Sequence, residues 1–462
     1  MSLNLPADCL NEIFEYLKDE DLRSCILVNR LWCETSVRIL WRKIQNFNTL
    51  LKFLPNKSKL ILSENGSLIT SSTSRPPLFN YTSFIKSLNI FDICSSIKRF
   101  HKCRGRINLE SFEKVRIMAM KQELFEMLMN QTSLKNLNFD TRNDINIPFF
   151  NYPGAEDCLR NLSELKCNSN TSYKLLQICH NLRSLRVVFR SSFSNKLIEL
   201  VFGQKNLKYL KLYFQYYAKE QSLTFTKFPN TLTKLHIHRV YFRIPWSSFS
   251  GLSNLQELSL SCYDIIDKDF NKLQDVNIPQ LQISKFAFDC FNNDNLSKFL
   301  EINGKNLTNL SLGQSIDCSI HLDIGNFCPN LRSLRTIFSN GNVESLKVIF
   351  DGCQQLEIIK VLRCNSFLDE RKLLEIVVEF SPIKFHELSV DFGIQVSPET
   401  TFQWGLRSIL ERWANRVPCI PFSLTVSFYS KLDIEFSKSN IKIIKEFRES
   451  SAIKKFEIIN LG

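Results

Sequence analysis

A short apolar motif, repeated along most of the chain, constrains the fold more than any other feature. The motif has the form apolar-x-x-apolar-x-apolar, as in the segment IKSLNI at residues 85–90. Its apolar positions two residues apart lie on one face of a β-strand. The motif starts at thirteen positions with a mean spacing of 25 residues: Ile85, Phe112, Leu134, Leu162, Leu182, Leu207, Leu232, Leu255, Ile283, Leu307, Leu331, Leu356 and Phe385. We therefore expect stacked units that each contribute one strand to a parallel sheet.

Helical patterns separate the motifs, at residues 195–202, 342–350 and 369–380. Each unit can bury its leucines only against its neighbours, which predicts a solenoid. The spacing lies in the range of leucine-rich repeats. We expect an α/β fold: a three-helix N-terminal segment, then a curved leucine-rich-repeat solenoid with a parallel β-sheet on its concave face. We place the solenoid at residues 85–396.

Cysteines and the C-terminal region modify this pattern. Cys179, Cys328 and Cys353 each stand three residues before a strand leucine, and Cys262 follows another strand. These positions resemble those of the cysteine-containing class of leucine-rich repeats. The rhythm breaks after Val390, where a helix over 397–416 and strands in FSLTVSF and FEIINL are expected. We interpret residues 397–462 as a C-terminal cap.

Composition excludes several classes of protein. Hydrophobic residues make up 44% of the 462 residues, too many for a disordered chain. The N-terminus lacks the pattern of a secretory signal, and we find no run of about 18 apolar residues. The 15 cysteines include no C-x-x-C pair, so we expect free thiols and no metal site. We predict a protein of the cytoplasm, the nucleus or both, without membrane association.

The first 46 residues form a distinct helical segment. Leu10, Ile13, Phe14 and Leu17 recur at the spacing of one helix face. Two further short helices are expected, the last of them bearing Trp32, Val37, Leu40 and Trp41. Three helices of this length bury only a thin core, so such a segment normally needs a partner. A linker at 47–84, with a short helix at 48–54 and a Ser/Thr-rich loop at 63–77, would follow.

This N-terminal segment resembles an F-box, the motif that docks onto the Skp-type adaptor of Skp–cullin–F-box ubiquitin ligases. Asn29 departs from the cysteine that often precedes the arginine. The matching residues are Leu5-Pro6, Asp8, Leu10, Ile13-Phe14, Tyr16-Leu17, Asp21-Leu22, Val28, Arg30, Trp32, Leu40 and Trp41. The resemblance implies that Leu5 and Pro6 contact the adaptor and that Leu10, Phe14 and Leu17 add apolar surface. The alternative is a self-contained helical cap.

In each motif, the residue between the last two apolar positions should point away from the core. These residues are Asn89, Arg116, Asn138, Lys166, Arg186, Lys211, His236, Ser259, Ala287, Ser311, Arg335, Lys360 and Ser389. Four consecutive copies thus carry a basic residue, Lys166 to His236. Neighbouring like charges repel one another, and a bound anion would offset that repulsion. Tyr209, Tyr213, Lys234 and His238 flank this row on the same face. We expect this basic and aromatic patch to receive an acidic or phosphorylated protein segment; the alternative is a solvated basic face.

Together these features favour a non-catalytic substrate receptor of a ubiquitin ligase, which links a protein substrate through the adaptor to a cullin. No cofactor is implied, and we find no G-x-S-x-G, P-loop or H-E-x-x-H motif of an enzyme. The net charge of +13 leaves an alternative open, a basic repeat scaffold that binds nucleic acid or other partners outside a ligase. Residues 1–46 carry −1, so the remainder carries +14.

Overall fold

The copies of the leucine motif form short parallel strands with alternating buried and exposed residues. In the computed structural model, Leu185 and Val187 are buried, whereas Arg186 between them is exposed. Burying a leucine or valine side chain contributes about 1.5–3 kcal/mol, so each strand is fixed by the face that it turns inward. The motif therefore sets both the position and the orientation of the strands.

The structure describes most of the chain. The described residues are 5–67, 77–102, 110–139, 149–190, 195–215, 228–240, 246–262, 276–287, 293–313, 319–338, 342–362, 370–391, 406–428, 443, 445–449 and 452–460. They fall into two compact units, residues 1–207 and residues 208–462.

The first unit contains four described strands, each parallel to the next. They are β1 (Ser87–Asn89), β2 (Asn136–Phe139), β3 (Glu164–Asn168) and β4 (Ser184–Phe189). The outward residues are in register: Asn89 lies opposite Asn138, Asn138 opposite Lys166, and Lys166 opposite Arg186. These four side chains therefore form one row across the exposed face of the sheet.

The second unit contains ten described strands, again parallel and in sequence order. They are β5 (Tyr209–Phe214), β6 (Lys234–Val240), β7 (Glu257–Cys262), β8 (Ile283–Ala287), β9 (Asn309–Leu312), β10 (Ser333–Ile337), β11 (Ile358–Leu362), β12 (Glu387–Asp391), β13 (Phe422–Phe428) and β14 (Ile453–Asn460). The chain is thus an α/β repeat structure, as the motif predicts.

Helices connect the strands and cover the buried face. In the first unit they are α1 (Ala7–Phe14), α2 (Asp19–Cys25), α3 (Arg30–Leu40), α4 (Phe47–Lys52), α5 (Asn56–Glu64), α6 (Tyr81–Phe84), α7 (Ile90–Lys102), α8 (Glu110–Gln131), α9 (Ala155–Arg160), α10 (Ser169–Ile178) and α11 (Asn195–Phe202). In the second they are α12 (Asn293–Asn303), α13 (Ile320–Phe327), α14 (Ser345–Gly352), α15 (Glu370–Phe380) and α16 (Leu406–Ala414). Short 3-10 turns lie at Phe149–Asn151, Trp246–Phe249 and Gly304–Asn306.

Helices α1 to α3 form the expected N-terminal three-helix segment. Their core contains Leu10, Phe14, Leu22, Cys25, Val37, Leu40 and Trp41. Asn29, which stands where an F-box often has cysteine, has a structural role. Its side-chain oxygen accepts a hydrogen bond from the main-chain N–H of Trp32 at 2.9 Å and so caps α3. Arg42 forms a two-pronged ion pair with Glu15, which ties the end of α1 to the end of α3.

Two positions of the motif differ from the prediction. Residues 112–117 lie in α8, not in a strand. Their apolar spacing also fits a helix, and the strong helix formers in MAMKQELFEMLM decide the outcome. The copy assigned to Ile283 begins instead at Leu281, because Leu258 pairs with Ser284 and Leu260 with Phe286. The outward residue of β8 is therefore Lys285 rather than Ala287.

The C-terminal region continues the strand series. Strand β12 pairs with β13 and β13 with β14, all parallel. The two expected closing strands are thus further members of the same sheet. Of the helix expected over 397–416, the structure shows Leu406–Ala414, and residues 397–405 lie outside the described part. Part of the loop expected at 63–77 is helical, since α5 ends at Glu64, and residues 68–76 are not described.

Buried cysteines and an exposed asparagine link neighbouring repeats. The thiol of Cys353 donates to the carbonyl of Cys328 at 3.3 Å, and that of Cys179 lies 3.6 Å from the carbonyl of Leu159. Burial raises the pKa of Cys179 and of Cys353 to about 12, so both stay protonated donors. The amide of Asn330 donates to the carbonyl of Lys305 at 2.9 Å. These bonds satisfy turn carbonyls between repeats.

Candidate functional site

The N-terminal helices expose several large apolar side chains. Tyr16 and Leu27 are 88% and 86% exposed, and Leu5, Ile13 and Val28 are about half exposed. Isolated exposed apolar residues are ordinary, but five within one small segment mark an interaction surface. This surface is the first candidate site.

The residues expected to contact an adaptor occupy different environments. Leu5 and Pro6 are exposed, and Leu17 is half buried. Leu10 and Phe14 are each only 2% exposed and pack inside the three-helix core, with the ring of Phe14 against Trp32 at 5.1 Å. These two side chains therefore hold α1 in place and present no surface of their own in this structure.

The residues expected to form a substrate patch lie in two groups, one in each unit. In the first unit, Lys166 and Arg186 face each other across β3 and β4. In the second unit, β5 and β6 are paired so that three residues of each stand side by side. The opposed pairs are Tyr209 and Lys234, Lys211 and His236, and Tyr213 and His238. The first unit thus brings two expected basic side chains together, and the second unit brings expected aromatic and basic side chains together.

Glu257, which the sequence analysis missed, neutralises part of the second group. Its carboxylate lies 3.3 Å from Lys234, 3.1 Å from Nε2 of His236 and 2.7 Å from Lys285. Burial opposes ionisation of Glu257, but the hydrogen bond and charge of Lys285, with His236 and Lys234, outweigh it and hold its pKa below the usual value. The carboxylate is therefore a built-in counterion.

The two histidines add little positive charge near neutral pH. Burial lowers the pKa of His236, although Glu257 opposes that effect. Burial, helped by nearby Lys211, lowers the pKa of His238 to about 4. The Tyr209 hydroxyl lies 3.3 Å from Nδ1 of His236, which fits a neutral ring that accepts a hydrogen bond from Tyr209. The expected row of positive charges is thus interrupted at β6.

A bulge in β6 adds another residue that the sequence analysis missed. The pairing of β6 with β7 shifts between His238 and Val240, and Arg239 between them has φ of 58°. Such a left-handed conformation is uncommon for a residue other than glycine. It places the guanidinium 5.2 Å from the centre of the Tyr213 ring, a cation–π contact. The patch therefore offers a cation already stacked on an aromatic ring.

The outward position of Lys285, which was also missed, follows from a sequence feature. An amide residue, Asn or Gln, directly precedes the first leucine in many copies of the motif. The residues are Asn161, Asn181, Asn206, Asn254, Gln280, Asn306, Asn330 and Gln355. Gln280 fixes the start of the β8 copy at Leu281, which puts Lys285 in the outward row. Glu257 occupies the same flanking position as Tyr209 and Lys234.

Within the described residues, no three His, Cys, Asp or Glu side chains are grouped so that they could hold a metal ion. None of the described helices has both the length and the apolar character needed to cross a membrane.

Comparisons with known proteins bear on the N-terminal segment. No curated protein matches the sequence. Among solved structures, the chain is similar to the crystal structure of the Rad7 and Elc1 complex in yeast, with a TM-score of 0.38 and 13% identity over 86% of this chain and 97% of that chain. Residues 2–46 match the family model described as F-box-like. The three-helix segment of this chain is therefore F-box-like.

Proposed function

We propose that this chain is the substrate-recognition subunit of a Skp–cullin–F-box type ubiquitin ligase. The observation that carries the proposal is the F-box-like match over residues 2–46, together with the apolar side chains that this segment exposes. A thin three-helix core with exposed leucine, isoleucine and tyrosine is suited to bury that surface against an adaptor.

The proposed contacts with a Skp-type adaptor are those N-terminal residues whose side chains are exposed. Leu5 and Pro6 precede α1 and are exposed, so they remain proposed contacts. Tyr16 and Leu27 add exposed apolar area outside the core. Leu10 and Phe14 would act by holding α1 in position, and half-buried Leu17 would contribute at the edge.

The repeats would bind a protein substrate through the exposed face of their strands. In the first unit, Lys166 and Arg186 supply positive charge. In the second unit, Lys211 and Lys234 supply positive charge, and Tyr209, Tyr213 and the neutral rings of His236 and His238 supply flat aromatic surface. Because Glu257 offsets Lys234 and Lys285, the surface of the second unit favours a mixed aromatic and acidic segment more than a densely charged one. In this role the chain needs no catalytic residue, since ubiquitin transfer belongs to other subunits and a cullin joins through the adaptor.

Co-purification with a Skp-type adaptor tests the proposal. We expect the wild-type full chain to retain the adaptor and the double variant Leu5→Ala/Pro6→Ala to lose most of it. The matched control is Leu78→Ala, because Leu78 is 84% exposed but lies outside the F-box-like segment. Equal recovery of adaptor with all three proteins, or none with the wild type, would refute the proposed role.

A further inference from the structure

A cavity of about 910 Å³ opens in the first unit, beside the end of the F-box-like segment. Its walls come from residues 43–48, from one face of α7 and from the outward residues of β1 and β2. Asn89 and Asn138, which line it, begin the row that continues to Lys166 and Arg186. The cavity is therefore continuous with the exposed strand face of this unit.

The edge of β1 borders this cavity. The N–H groups of Lys86 and Ser87 both donate to the carbonyl of Arg42, at 2.9 and 2.8 Å. The same pair of bonds joins β2 to β1, where Lys135 and Asn136 donate to Lys86. The carbonyl of Arg42 thus accepts the bonds that a preceding repeat would accept, but residues 43–46 form no strand. In a parallel strand, the main-chain N–H and C=O groups of successive residues point alternately to the two neighbouring strands. The main-chain groups of Asn89 therefore point to the same side as those of Ser87, away from β2.

Besides serine hydroxyls, the side chains that line the cavity are of three kinds. Phe47 and Phe100 are half buried and meet edge to face, with ring centres 6.1 Å apart. Side-chain amides surround them, including those of Asn46, Asn89 and Asn138. Two cations and one carboxylate complete the lining: Lys43, Arg99 and Asp92, all exposed. The site combines apolar surface, amide groups that match peptide groups, and a net positive charge.

We propose that this cavity binds an extended segment of a partner protein, which runs along the β1 edge, packs an apolar side chain against Phe47 and Phe100, and places an acidic residue near Lys43 and Arg99. Main-chain pairing at a strand edge gives affinity, and pockets for alternate side chains give specificity. This inference rests on the proposed function only in naming the partner as the substrate. The cavity would then hold a substrate segment next to the adaptor-binding helices.

The chain offers closely matched variants for a test. Ser96 and Ser95 are adjacent on α7 and both half buried, but only Ser96 lines the cavity. Ser96→Trp would place an indole ring in the cavity and narrow it, and Ser95→Trp is its control. Likewise, exposed Arg99 lines the cavity and exposed Lys98 does not, so Arg99→Glu is compared with Lys98→Glu. Thermal unfolding of each variant verifies that the charge and size changes leave the chain folded.

The experiment selects peptides from a random twelve-residue display library on the wild-type full chain and measures their affinities by fluorescence polarisation. We expect peptides with a large apolar residue near Asp or Glu. Ser96→Trp and Arg99→Glu should each weaken them about tenfold or more, while Ser95→Trp and Lys98→Glu stay within about twofold of wild type. Changing the peptide's acidic residue to its amide should abolish the effect of Arg99→Glu.

Several results would overturn the inference: no peptide selected, peptides that bind Ser96→Trp as tightly as wild type, or preferential binding of a single-stranded oligonucleotide at this cavity. Adaptor capture by the same proteins separates this inference from the proposed function. Ser96→Trp should still retain the adaptor. Peptide binding without any adaptor capture would remove the ligase role and leave the peptide site in place.

Discussion

At the scale of single residues, Glu257 has the largest effect on the candidate substrate surface. Its carboxylate contacts two lysines that are themselves half exposed, and it lies 3.1 Å from Nε2 of His236. A sequence pattern that considers only basic and aromatic residues overlooks such a counterion. The position of Glu257 was available from the motif spacing, but its burial depends on neighbouring strands and could not be predicted from one copy of the motif.

We predict that Glu257→Gln lowers the free energy of unfolding by about 1–2 kcal/mol at pH 7, because charged hydrogen bonds become neutral ones. The folded-state pKa of Glu257 is lowered, so its stabilisation is present above the unfolded value of 4.5 and is lost as the pH falls through the folded value. Chemical denaturation at pH 7 and pH 3 measures this difference. Glu387→Gln, at the equivalent position of β12, is the control and should have a smaller effect.

A second prediction concerns His238, whose folded pKa is lowered to about 4 from 6.5. The unfolded chain takes up this proton first, so stability falls as the pH decreases from about 6.5 toward 4. The variant His238→Gln should lose less stability between pH 7 and pH 5 than the wild type does. His180→Gln, at an exposed position, serves as control. If the wild type and His238→Gln lost the same stability between pH 7 and pH 5, the lowered pKa of His238 would be contradicted.

At the scale of elements, most strands could be predicted because the leucine motif is local and periodic. The segment at 112–117 could not, since its three apolar residues satisfy either a strand or a helix. The frame of β8 could not be set by apolar residues alone, because a buried serine, Ser284, takes a leucine position. Strand β13 was expected, but not as a further copy of the motif, because Pro421 stands where the other copies have an apolar side chain.

Close helix packing gives a prediction at this scale. A Cβ atom on Gly352, in α14, would lie 2.0 Å from the carbonyl oxygen of Gly325 in α13. Neither backbone can yield without moving its helix, so Gly352→Ala should destabilise the second unit by about 3 kcal/mol or more. Urea denaturation measures the loss. Asp351→Ala, at the exposed neighbouring position, should change stability by less than about 0.5 kcal/mol.

At the scale of the whole molecule, the proposed function assigns different tasks to different parts of the chain. The F-box-like segment has a net charge of −1 and exposes apolar side chains, whereas the rest carries +14 and presents polar strand faces. This division was predictable from composition and motif order. The cavity beside β1 was not, because it forms only where residues 43–48 and α7 meet around a strand edge.

The central claim, that the F-box-like segment binds a Skp-type adaptor through exposed apolar side chains, is tested most directly by isothermal titration with the purified adaptor. Leu27 and Leu78 are 86% and 84% exposed, so neither supports the core. We predict that Leu27→Asp weakens adaptor binding about tenfold or more, while Leu78→Asp binds within about twofold of wild type. Equal affinities for the two variants, or no binding by the wild type, would contradict the account.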